Sequence, residues 1–262
     1  MAKSRGEKYW QVHHGLCYNA RLQTNGFDQS GDGCLSIDKE VKTFYSKLNF
    51  PGEYTTEQVE FHLPDTVNNY INILYSAIND GDSIIDLGCG SGLITNIIAS
   101  KYKKSKVTAV DFCDSIEYAK SFSKETKIKN VSYSKKDILK LNNKKYDVVM
   151  CIGVLHHIPE FKKAVEKIKK LANKKIILGV YHPTGKILKK AFKLDYANSI
   201  LYSDQEEVPF ELSWTKKQVL DMFSEYQVVE QYPKNPVWKF ITSPLTHNRN
   251  GGLTTYILEK KC

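Results

Sequence analysis

Apolar positions along this chain follow two alternating periods. Short runs rich in β-branched residues fall at 83–87, 106–110, 131–135, 146–152 and 175–180, and runs of that length bounded by turn or charged residues predict buried strands. Between them, apolar residues recur every three to four positions over 92–102, 115–127 and 160–172, which predicts helices. In the last of these, Phe161, Ala164, Val165, Ile168, Leu171 and Ala172 make one stripe. Strand and helix in regular alternation predict an α/β fold with a doubly wound parallel sheet and helices on both faces. Upstream, Val67, Tyr70, Ile71, Leu74 and Ile78 share one face of a helix over 65–78. Downstream, Thr215 is placed to cap a helix carrying Val219, Leu220, Met222 and Phe223, and 226–232 and 253–260 read as closing strands.

The remainder is less regular. Residues 1–60 read as irregular, with turn signals at Asn25-Gly26 and in Asp-Gln-Ser-Gly-Asp-Gly at 28–33. That stretch lacks the third-position carboxylate and twelfth-position glutamate of a calcium loop. Residues 181–213 are long for a connection and rich in aromatics (Tyr181, Phe192, Tyr196, Tyr202, Phe210), which marks an insertion with its own task. The expected division is a lid or cap segment at 1–64 and a main domain at 65–262 carrying the insertion at 181–213.

Composition narrows the function classes. No apolar run approaches the ~18–20 residues that span a bilayer, and the basic N-terminus has no apolar stretch behind it, so neither a membrane span nor a signal peptide is expected. Six scattered cysteines without a Cys-x-x-Cys pair predict free thiols in a reducing, cytoplasmic setting, with no zinc site. The formal charge of +9 raises nucleic acid as a partner. Among the 38 basic residues, however, only Arg5, Arg21 and Arg249 are arginines, the residue suited to bidentate phosphate and base contacts. Lys162, Lys163, Lys167, Lys169 and Lys170 fill the polar side of one helix. A solvated basic surface is the expectation, and nucleic acid is not.

The chemistry concentrates at 84–92, Ile-Ile-Asp-Leu-Gly-Cys-Gly-Ser-Gly. Alternate glycines let the backbone turn sharply and bring bare N–H groups to a helix N-terminus, where a ligand can approach. Leu93 stands where a dinucleotide fingerprint needs its third glycine, which sets aside a nicotinamide oxidoreductase. Asp111 ends the next strand about twenty positions on, where a ribose diol would be hydrogen-bonded; capping the helix near Ser115 is the alternative. Asp137 and Ile138 come directly after the third run.

The order apolar-Asp-Leu-Gly-x-Gly-x-Gly, then Asp111, then Asp137 resembles the class I S-adenosylmethionine (SAM) dependent methyltransferases over about residues 65–262. The resemblance implies a Rossmann-like seven-stranded sheet whose last strand is antiparallel, with SAM as cofactor. It assigns Asp86 to the loop and the methionine ammonium, Gly88, Cys89, Gly90 and Gly92 to the cofactor loop, and Asp111 to the ribose. Phe112, Asp137 and Ile138 fall to the adenine, and Cys151 to the strand end beside the cofactor. Tyr9-Trp10 resembles the aromatic start that folds over the cofactor in many such enzymes; anchoring an N-terminal helix is the alternative.

The segment after the fourth strand types the substrate. Neither Asn/Asp-Pro-Pro-Tyr/Phe nor Pro-Cys is present; Val154-Leu155-His156-His157-Ile158-Pro159 looks like the small-molecule enzymes of the family. A neutral imidazole with a pKa near ~6.5 can take a proton from an alcohol or phenol. His156 is the first candidate base, then His157, then His182 after the fifth strand; adjacent His156 and His157 cannot both face one way. The expected function is methyl transfer to a small-molecule acceptor at oxygen. An RNA or tRNA methyltransferase and a non-catalytic SAM-binding protein are the alternatives. No metal is assigned, and the oligomeric state is left open.

Overall fold

The computed structural model describes residues 32–46, 52–60, 65–184, 208–235 and 253–261. Tyr9, Trp10 and the 185–207 part of the insertion, with Phe192, Tyr196 and Tyr202, lie outside these residues.

Seven strands form one sheet: β1 (Ser83–Leu87), β2 (Lys106–Asp111), β3 (Val131–Lys135), β4 (Tyr146–Ile152), β5 (Ala172–Tyr181), β6 (Tyr226–Tyr232) and β7 (Leu253–Lys260). Their order is β3-β2-β1-β4-β5-β7-β6. β1 to β5 pair in parallel, and β7 runs antiparallel between β5 and β6. The central strands are continuous apolar runs because helices cover both of their faces; Ile84, Val149, Met150, Ile176, Ile177 and Leu178 are fully buried.

On one face lie α2 (Thr56–Glu60), α3 (Asp65–Ser76), α4 (Leu93–Lys101) and α5 (Ser115–Glu125), with Val59, Leu74, Ile97 and Phe122 in the core against Ile84, Val148 and Ile177. On the other, α6 (Phe161–Leu171) and α7 (Lys216–Met222) pack through Ala164, Ile168, Leu171 and Val219 on Val149, Leu178 and Leu258. The predicted stripe of α6 is the buried one, while Lys162, Lys163 and Lys170 are exposed. Thr215 caps α7 in a reciprocal box with Gln218.

The main departure from the sequence reading is α1 (Asp32–Ser46), a helix where turns were expected. Gly31 and Gly33 precede or open it, and the stripe of Ile37, Val41, Phe44 and Tyr45 continues beyond them.

Candidate functional site

β1 is flanked by β2 on one side and β4 on the other, so the chain reverses its winding there and a crevice opens above the strand ends. The glycine loop fills the head of β1. Gly88, Gly90 and Gly92 have φ of 77°, 54° and 84°, a region that side chains avoid. A Cβ on Gly88 would lie 2.3 Å from Val154 Cγ2, so the loop packs directly on the turn after β4. The N–H groups of Gly88 and Cys89 both donate to the Val110 carbonyl, at 2.8 and 3.1 Å. The Asp111 carboxylate accepts the N–H of Gly90 at 2.7 Å and that of Cys113 at 2.8 Å. The ends of β1, β2 and β4 are thereby fixed to one another.

Asp86 lies beneath this loop, 5% exposed, where it accepts the Thr95 hydroxyl at 2.5 Å. Burial pushes its carboxyl up to about 6; the Thr95 bond opposes the rise and the nearby Asp111 adds to it. Cys89 and Cys151 are both held above the usual thiol range, chiefly by burial, with Asp86 adding to each. Neither is placed as a thiolate nucleophile. Phe112 is half-buried beside Asp111, and Ile138 is buried. Asp137 caps the turn at 138–140 by accepting the Leu139 N–H at 2.9 Å, and its other oxygen accepts Lys42 Nζ of α1 at 3.0 Å. Burial works against ionisation of Asp137, but Lys42 and the Leu139 N–H outweigh it and hold the carboxyl below its ordinary value.

The three histidines separate clearly. His156 is fully buried, its ring 4.1 Å from that of Tyr181, and its carbonyl accepts the Leu212 N–H at 2.8 Å. His157 sets Nδ1 3.1 Å from the Phe210 carbonyl. A carbonyl only accepts, so Nδ1 carries the proton in the neutral ring and Nε2 keeps the lone pair. His182 is half-buried, and burial holds it below the ordinary imidazole range. Its Nδ1 accepts the Thr184 N–H at 3.3 Å, which puts the neutral ring's proton on Nε2. His157 is the imidazole whose tautomer suits a base.

Within the 1–64 segment expected as a lid or cap, sequence reasoning did not single out the residues that touch the loop. Ser91 Oγ donates to the Gly52 carbonyl at 2.9 Å. The Tyr54 hydroxyl donates to the Ser91 carbonyl at 2.7 Å and accepts Asn96 Nδ2 at 2.8 Å. On α1, Lys42 reaches Asp137, while the Tyr45 ring sits 5.4 Å from that of His157. The apolar stripe of α1 was a signal for that helix; nothing local marks Tyr54. Among the described residues no group of three or more His, Cys, Asp or Glu could hold a metal ion, and no helix is long and apolar enough to cross a membrane.

Comparison with known proteins agrees with this geometry. The family described as "Methyltransferase domain" matches residues 78–237, more than half of the chain. An (S)-coclaurine N-methyltransferase of Thalictrum flavum subsp. glaucum is 32% identical over 123 residues, 45% of this chain and 32% of that protein. A ubiquinone biosynthesis O-methyltransferase of Rickettsia bellii (strain OSU 85-389) is 36% identical over 128 residues, 47% of this chain and 50% of its own length. The matches thus span a third to a half of these relatives. The crystal structure of magnesium protoporphyrin IX methyltransferase from Synechocystis PCC 6803 with bound SAH shares the fold, with a TM-score of 0.58 at 16% identity, covering 88% of this chain and 100% of that one.

Proposed function

The chain belongs to the methyltransferase family, and from that premise we propose that it transfers the methyl group of SAM to an oxygen of a small-molecule acceptor. The observation that carries this reading is the junction of three strand ends: the loop clamped by Asp111 on one side and backed by Val154, which leads into His157, on the other. The cradle suits SAM. Its glycines leave the approach bare, Asp86 and Asp111 face a cationic and a hydroxyl-bearing ligand, and no cationic side chain is needed for a pyrophosphate.

When bound, the sulfonium supplies an activated methyl for in-line displacement. The chain's part is positioning, which can contribute on the order of 7–11 kcal/mol to lowering such a barrier. Asp111 holds the ribose end and Asp86 the methionine end. Residues 52–54 and α1 form the cap that keeps water from the loop. His157 Nε2 takes the acceptor's hydroxyl proton as the oxygen attacks, while the Phe210 carbonyl holds Nδ1–H and stabilises the imidazolium. His156 supports that turn from within the core. Free thiols at Cys89, Cys113 and Cys151 suit a reducing, cytoplasmic setting. An amine acceptor is the second reading, favoured by the N-methyltransferase relative.

The test is transfer from methyl-labelled SAM to a panel of phenols, alcohols and secondary amines. Product on a hydroxyl, with S-adenosylhomocysteine (SAH) released, supports the oxygen reading. Product on amines alone overturns it, and failure to bind SAH in calorimetry overturns the whole assignment.

A further inference from the structure

The sheet fixes the first half of the glycine loop, and the chain at 52–54 fixes the second. The N–H groups of Gly88, Cys89 and Gly90 go to Val110 and Asp111 at the head of β2. Ser91, fully buried, is instead tied twice to 52–54. Its Oγ donates to the Gly52 carbonyl at 2.9 Å, and its carbonyl accepts the Tyr54 hydroxyl at 2.7 Å.

That hydroxyl is held on a firm mount. Both backbone groups of Tyr54 bond the Tyr118 hydroxyl of α5, its N–H at 3.1 Å and its carbonyl at 2.9 Å. The Tyr54 ring lies 4.5 Å from that of Phe122. Asn96 of α4, fully buried, donates Nδ2–H to the hydroxyl at 2.8 Å. The hydroxyl's own proton is thereby left for Ser91.

The bond to the Ser91 carbonyl sets the orientation of a peptide. Gly92 has a φ of 84°, and a glycine lets the peptide before it rotate without a Cβ penalty. Because the peptide group is planar and trans, the Ser91 carbonyl and the Gly92 N–H point to opposite sides. With the carbonyl on Tyr54, the Gly92 N–H is aimed at the Cys89 carbonyl, to which it donates at 2.9 Å. That bond closes the 89–92 turn. A flip of the 91–92 peptide would break both bonds and reshape the turn that cradles the cofactor.

We infer that Tyr54 is a positioning residue for SAM: acting through the Ser91 carbonyl, its hydroxyl holds the 91–92 peptide in the orientation that the cofactor meets. The inference rests on the SAM-binding reading above and goes beyond it, since 52–54 then shapes the cradle as well as covering it.

Tyr54→Phe in the full chain keeps the ring packing and removes only the hydroxyl. Tyr102→Phe is the matched control, because the Tyr102 hydroxyl donates to the Tyr75 carbonyl at 2.9 Å, at the end of α4 far from the loop. Both variants should lower Tm by roughly 2–4 °C, so a merely structural role predicts the same behaviour for the two. In calorimetry well below either Tm, Tyr54→Phe should weaken SAH binding about fivefold or more, while Tyr102→Phe stays within about twofold of wild type. A Tyr54→Phe chain that binds SAH like wild type, or two variants that lose affinity equally, overturns the inference. Ser91→Ala removes the Gly52 tie but keeps the carbonyl bond, so it should cost less affinity than Tyr54→Phe. The reverse order would show that the cofactor senses the cover of 52–54 and not the set of the peptide, and equally overturns it. A wild type that does not bind SAH sinks the SAM reading itself, and the role of Tyr54 with it.

Discussion

Asp111 holds the glycine loop by a single atom, its Oδ2 accepting the N–H of Gly90 at 2.7 Å, while Oδ1 accepts the N–H of Cys113 at 2.8 Å. Each carboxylate oxygen keeps a further acceptor site, so the same group can fix the loop and receive a ribose diol. The hydrogen bonds to a charged acceptor are worth roughly 1.5–3 kcal/mol each. Asp111→Ala is therefore expected to weaken SAH binding about tenfold or more and to lower Tm, with Asp111→Asn between it and the wild type. Asp137→Ala should lose less than about threefold, because its carboxylate holds the 138–140 turn and Lys42 and not the glycine loop. Calorimetry with SAH ranks the three variants, and equal losses at 111 and 137 would refute the asymmetry.

Gly88 tests the contact between the loop and the histidine turn. Its φ of 77° alone disfavours any other residue, by roughly 1–2 kcal/mol, and an added Cβ would meet Val154 Cγ2 at 2.3 Å. Gly88→Ala should lower Tm and impair SAH binding. Adding Val154→Ala should recover part of the loss, since it relieves the clash and leaves the backbone strain. Two purely additive losses in melts of the single and double variants would mean that the two sites do not touch.

Asp86 makes a pH prediction whose sign is set by a raised carboxyl. Its folded-state value, about 6, lies above the ordinary 3.8, so the folded chain holds this proton more tightly than the unfolded one. The stabilisation is complete below about pH 4 and is lost as pH rises through about 6, a change of roughly 3 kcal/mol from this group. Asp86→Asn should thus raise stability near pH 7 while weakening SAM binding. A cation beside Asp86 favours its ionised form, so binding of SAM should release a proton and tighten from pH 5 to 7. Affinity that is flat over that range, or equally steep in the Asn variant, would show that another group is responsible.

The strands were readable because their burial on both faces writes an unbroken apolar run into the sequence. The glycine loop was readable because positive φ restricts residue choice at each turn. The hydrogen bond that fixes the tautomer of His157 was not, since its partner, the Phe210 carbonyl, lies 53 positions away. The Lys42 bond to Asp137 likewise joins residues 95 positions apart. In α1 the turn residues of 28–33 hid a stripe that a helix buries.

The lysine excess carries a prediction about partners. On α6, Lys163 pairs with Glu160 and Lys169 with Glu166 one turn away, and Lys167 Nζ donates to the Leu141 carbonyl at 2.5 Å. These cations serve the helix surface. Binding to bulk tRNA should be weak and should vanish near about 0.15 M salt, as nonspecific phosphate contacts do. Filter binding that stays tight and sequence-selective at that salt would favour an RNA substrate instead.

The histidines give the last test, because two adjacent rings are assigned different work. His156 is fully buried against Tyr181, so His156→Ala opens a cavity in the core and should lower Tm. His157 is oriented by the Phe210 carbonyl with its lone pair on Nε2, so His157→Ala should leave SAH affinity nearly unchanged and reduce turnover by roughly 10²–10⁴. His157→Gln keeps a polar group but cannot take the proton, and should recover little. His182→Ala should have the smallest effect, since the proton on its Nε2 makes it a donor. Should His157→Ala turn over at near wild-type rate on a hydroxyl acceptor, proton removal is not part of the barrier. Alignment by the loop and the cap would then account for the reaction, with an amine or an already ionised oxygen as the nucleophile.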